Sequence, residues 1–81
     1  MDHDTDKIDE TVLALLWLTI HEDGEFGGAW TWKSHDWDAL SRLREQGLIS
    51  DPRSKAKSVL LTPQGLDKSE ELFERMFAKN D

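Results

Sequence analysis

An 81-residue chain has room for one small domain, with a core near the lower limit of what stands alone without disulfides or metal. Hydrophobic residues at 37 % and charged residues at 33 % leave enough apolar surface to fold, and the absence of cysteine excludes both a disulfide framework and a thiolate metal site. The net charge of −7 repels polyphosphate at long range, so binding to nucleic acid would depend on a local basic segment.

Charge is unevenly spread. Residues 1–25 hold eight acids against Lys7, residues 26–57 hold six bases against four acids, and residues 58–81 hold five acids against three bases. Only the middle third is basic. The opening MDHDTDKIDE is acidic where a secretory leader is basic, and the apolar run from Val12 to Ile20 is far too short for a bilayer. The expectation is a cytoplasmic domain over residues 1–81, with residues 1–5 and 80–81 unstructured.

From Asp6 to about Glu22, Ile8, Val12, Leu13, Leu15, Leu16, Trp17, Leu18 and Ile20 cover more than one stripe of a helix. Asp6 is its expected N-cap, Asp9 and Glu10 suit the positive end of the helix dipole, and Gly24 is the expected C-terminal stop. His21 then reads as a last-turn cation. The segment EDGEFGGAWTWKSHD is irregular, with a short strand that places Trp30 and Trp32 on one face and Thr31 on the other. Such a pair either covers the end of a sheet or forms an aromatic binding loop.

Ser34 or Asp36 caps a second helix running through Gln46, with Trp37, Leu40 and Leu43 at three-residue spacing and Gly47 as its stop. Asp38, Ser41, Arg42 and Glu45 fall on its outer face. Leu48 and Ile49 enter a strand, Asp51-Pro52 turns, and Ser58 to Thr62 returns with Val59 and Leu61 on one face. Arg53, Lys55 and Lys57 occupy the tip of this hairpin. Thr62-Pro63 starts a last helix whose stripe is Leu66, Ser69, Leu72, Phe73, Met76 and Phe77. Phe73 and Phe77 are expected in the core or a dimer contact. The fold class is thus α+β, a small winged-helix-like domain ordered helix, short strand, helix, two-stranded wing, helix.

The order helix, Gly47-Leu48-Ile49, hairpin, Leu61-Thr62-Pro63-Gln64-Gly65, helix resembles the closing section of MarR-like and PadR-like winged-helix regulators. The likeness covers about half the chain. The whole chain resembles a family of short bacterial proteins of unknown function through TDKIDE at Thr5 to Glu10, SHDWDALSRLREQGLISDP at Ser34 to Pro52 and KAKSVLLTPQGL at Lys55 to Leu66. No activity transfers from it. The regulators place an additional helix before the one that enters the major groove, whereas here residues 23–35, rich in glycine and tryptophan, fill that interval. A shortened winged helix is therefore expected, with major-groove binding disfavoured.

Arg42, Arg44, Arg53, Lys55 and Lys57, with Lys33 nearby, form the candidate phosphate-contacting set, though Asp36, Asp38, Glu45 and Asp51 interrupt it. A hairpin tip needs solvated residues in any case, and edge lysines discourage sheet-to-sheet association. His3, His21 and His35 match no zinc or calcium spacing. There is no Gly-x-Ser-x-Gly elbow, phosphate-cradling glycine loop or carboxylate dyad, so neither an enzyme nor a cofactor is expected. The reading that follows is a non-enzymatic binding module that recognises a protein partner or itself through Trp30, Trp32 and Arg42. Its alternative is a dimeric DNA-binding regulator using Arg42, Arg44, Arg53, Lys55 and Lys57.

Overall fold

The computed structural model describes residues 4–33, 35–52 and 57–79. Helix α1 spans Thr5–Leu18, strand β1 Ile20–Asp23, strand β2 Ala29–Trp32, helix α2 Trp37–Glu45, strand β3 Ser58–Leu61 and helix α3 Pro63–Phe77. The three strands form an antiparallel sheet in the order β1-β2-β3. The result is a small α+β domain with a winged-helix-like arrangement of helices and hairpin.

Helix α1 begins earlier and ends sooner than its apolar run suggests. Asp4, not Asp6, is the N-cap, accepting from the Lys7 backbone N–H at 3.1 Å. Asp4 and Thr5, expected in an unstructured tail, thus form the cap and first residue of the helix. At the other end the Thr19 N–H donates to the carbonyls of Leu15 and Leu16 while its hydroxyl lies within hydrogen-bonding distance of the same pair, at 3.3 and 3.4 Å. That local side-chain bonding lets a β-branched residue leave helical geometry. Ile20–Asp23 consequently forms a strand instead of the last helical turn, pairing Ile20 with Thr31 and Glu22 with Trp30 across an irregularity at His21. Residues 20–23 have only weak helical support, and strand pairing satisfies their backbone.

The β1–β2 hairpin closes through a short turn at Glu25–Gly27. Phe26 sits there in left-handed geometry, φ 57°, with its ring 92 % exposed. A left-handed non-glycine residue costs about 1–2 kcal/mol, and this ring recovers little of it by burial. Phe26→Gly is therefore expected to raise stability by about 1 kcal/mol, read as a higher urea midpoint. A lower midpoint would mean that the ring contributes packing to the fold.

Helix α2 is capped by Asp36, whose carboxylate accepts from the Ala39 N–H at 3.0 Å. It ends at Gln46 and then Gly47, whose φ of 75° is the left-handed stop foreseen for glycine. Leu40 and Leu43 are buried as their spacing implied, but Trp37, placed with them, is 55 % exposed. It occupies the first helical turn, before the helix meets the core.

The expected two-stranded wing is narrower than its sequence suggests. Leu48 to Ser50 meets β3 through one bridge, Ile49 with Leu61, supported by Ser50 N–H to the Leu60 carbonyl at 2.8 Å and Thr62 N–H to the Leu48 carbonyl at 3.1 Å. On its other side β3 pairs fully with β2, Ala29 with Leu61 through Trp32 with Ser58. The tip residues Arg53 and Lys55 lie outside the described residues, as do Ser34, His3 and residues 80–81.

Helix α3 starts as expected. Thr62 caps it through the Gly65 N–H at 3.0 Å, with Pro63 in the first position. It packs along α1. Ser69 and Leu72 are buried and Phe73 lies against the core, while Met76 and Phe77 extend past it and are exposed. The two phenylalanine rings touch at 5.3 Å. The core joins Leu13 and Leu16 of α1, Leu40 and Leu43 of α2, Val59 and Leu61 of β3, and Leu72 of α3, with Leu48 and Ile49 beneath them.

Candidate interaction surface

Strand β2 divides the sheet into two chemically different faces, because successive side chains point to opposite sides. Inward, Ala29 and Thr31 are buried. The Thr31 hydroxyl donates to the Leu16 carbonyl at 2.6 Å and meets the Thr19 hydroxyl at 2.7 Å, so the polar residue beneath the sheet is satisfied by the end of α1. Outward, Trp30 is half-buried and Trp32 is 45 % exposed. The alternation foreseen for Trp30, Thr31 and Trp32 holds. The two tryptophans are not on a loop, however: they occupy the central strand, held by hydrogen bonds on both sides.

His21 completes this outer face. Its ring stacks on Trp32 with centroids 4.0 Å apart and planes 24° from parallel, and its Nε2 lies 2.8 Å from the Ser58 hydroxyl on β3. One side chain from each strand is thereby tied together across the sheet. The reading of His21 as a helix-terminal cation is corrected by the same step that turned residues 20–23 into a strand. Near the end of β2, Lys33 donates from Nζ to the Pro52 carbonyl at 2.7 Å and stands 5.6 Å from the centroid of the Trp37 ring. This is within reach of a cation–π contact.

Arg42 is not on the free outer face of α2. Its Nε and one terminal nitrogen donate to the two carboxylate oxygens of Asp9 at 2.7 and 2.8 Å, a bidentate pair joining α2 to α1. The hydrogen bonds to Asp9 raise the Arg42 pKa above its already high ordinary value, keeping the guanidinium charged. Asp9 is 6 % exposed. Expected to serve the helix dipole, it instead lies three, four and seven residues before Val12, Leu13 and Leu16, on the stripe that packs inward. A carboxylate at that spacing was the available sign of a cationic partner elsewhere in the chain.

Removing either member of this pair should destabilise the fold, but unequally. Arg42→Ala strands a carboxylate with almost no access to water, whereas Asp9→Ala leaves a guanidinium already one-third exposed. The expected order of urea midpoints is wild type above Asp9→Ala above Arg42→Ala. Equal midpoints for all three would show that the pair contributes nothing.

Of the remaining basic candidates, Arg44 and Lys57 lie among the described residues. Arg44 approaches Asp51 at 3.9 Å, an exposed pair of little energetic weight. Lys57 is exposed beside the sheet, its carbonyl accepting from the Lys33 N–H at 3.0 Å. A cleft of about 360 Å³ opens elsewhere, between α1 and α3, over Leu13, Leu43 and Leu72. Its rim includes Glu10 and Arg75, paired at 3.0 Å.

His35 is partly buried, and desolvation pushes its pKa below the ordinary imidazole value. Among the described residues no three His, Asp or Glu side chains come together as metal ligands, and no helix is long and apolar enough to cross a membrane.

The chain is similar along nearly its whole length to a protein of Sinorhizobium fredii (strain NBRC 101917 / NGR234) described as uncharacterized protein y4hR. The two are 52 % identical over 79 residues, covering 98 % of this chain and 100 % of the other. No solved structure matches it. A model of the family described as "Domain of unknown function (DUF6429)" matches residues 4–79, and the chain belongs to that family.

Proposed function

We propose that this protein is a non-enzymatic, cytoplasmic binding module that docks a protein partner through the outer face of its sheet, with Trp32 as the principal contact and Trp30 and His21 beside it. The observation that carries this reading is that two tryptophans share the solvent side of a central strand while the opposite side supplies the core. Tryptophan is enriched among residues that dominate protein interfaces, because it combines a large apolar area with a polar edge. The supporting strands hold these rings in place, so little ordering entropy would be lost on association.

DNA binding is the second reading, favoured by the winged-helix-like arrangement, the likeness of its closing motifs to MarR-like and PadR-like regulators, and an exposed Lys57 within four positions of Arg53 and Lys55 in the sequence. It is weakened by the acidic total charge and by the commitment of Arg42 to Asp9. A winged helix contacts phosphates through cations that are free to reach them.

Affinity capture with wild-type and Trp32→Ala baits tests the first reading, alongside anisotropy of a labelled duplex at low salt and at about 0.2 M. A partner retained by wild type and lost by Trp32→Ala, with the urea midpoint changed by no more than about 1 kcal/mol equivalent, is the expected result. Salt-sensitive duplex binding that weakens when Arg53, Lys55 and Lys57 are changed together to Ala would replace it with the DNA reading.

A further inference from the structure

We draw no further inference here: the strongest candidate, the cleft between α1 and α3 over Leu13, Leu43 and Leu72, has two of its lining carboxylates, Asp9 and Glu10, engaged by Arg42 and Arg75, and nothing in the structure shows what covers its apolar floor.

Discussion

Gly65→Ala is expected to lower stability by about 3 kcal/mol or more, the upper end for overpacking a rigid contact. Gly65 is buried in the first turn of α3, where the helix crosses the backbone at Leu48. A methyl group placed there would overlap the Leu48 carbonyl oxygen and crowd the carbon behind it. Neither neighbour is a side-chain end that could swing aside. Leu48 is held by its own N–H to the Leu43 carbonyl at 3.1 Å, and its carbonyl accepts from the Thr62 N–H at 3.1 Å. Relief would therefore require lifting α3 from the core or breaking the contact that joins β3 to the Leu48 segment.

The same crossing gives a physical reason for Leu-Thr-Pro-Gln-Gly as a motif. Leucine fills the core, threonine caps, proline opens the helix, and glycine permits the close approach. Gly47→Ala is the useful comparison, since an added methyl there meets nothing within 4 Å and suffers only the cost of a left-handed φ of 75°, about 1–2 kcal/mol. Far-UV circular dichroism with urea titration separates the two, and a Gly65→Ala midpoint no lower than that of Gly47→Ala would overturn the packing account.

Leu61→Ala should be nearly as damaging, at about 2 to 5 kcal/mol. Leu61 has no exposed surface and stands where three parts of the chain meet, paired with Ala29 on one side, bridged to Ile49 on the other and packed into the helical core. Truncation there leaves a cavity whose walls are strand backbone and other fully buried leucines, so collapse around it is limited. Phe73→Ala, which its place in the apolar stripe would rank alongside, should cost less than half as much because Phe73 only lies against the edge of the core. Thermal or urea midpoints give the ordering directly. A larger loss for Phe73→Ala would mean that the face bearing Phe73 and Phe77 is covered in solution.

The elements with local punctuation were legible in the chain. Asp36 and Gly47 bound α2, Thr62-Pro63 opens α3, and the two-residue spacing of Val59 and Leu61 and the alternation of Trp30 with Thr31 sorted the sheet residues onto their faces. Each of these depends on contacts within a few positions, where residue type largely decides geometry. The C-terminal end of α1 was not legible, because the apolar residues continue to Ile20 while the hydroxyl of Thr19 and the partner strand β2 end the helix at Leu18. Periodicity also left open how many partners β3 has. Its main neighbour proved to be β2, with the Leu48 segment contributing a single bridge on the other edge.

The candidate site divides along the same line. Sequence alone determined a small α+β domain, the caps of α2 and α3, the placement of Trp30 and Trp32 on one face, and the lack of any recognised catalytic motif. Tertiary structure decided that Arg42 turns to Asp9, that His21 stacks on Trp32, and that Trp37 stands exposed instead of joining Leu40 and Leu43. These outcomes depend on groups brought together from distant positions, 33 residues apart for Arg42 and Asp9 and 37 for His21 and Ser58. A charged or aromatic side chain takes its role from the partner that desolvates or pairs with it, and that partner is present only once the helices and sheet have packed.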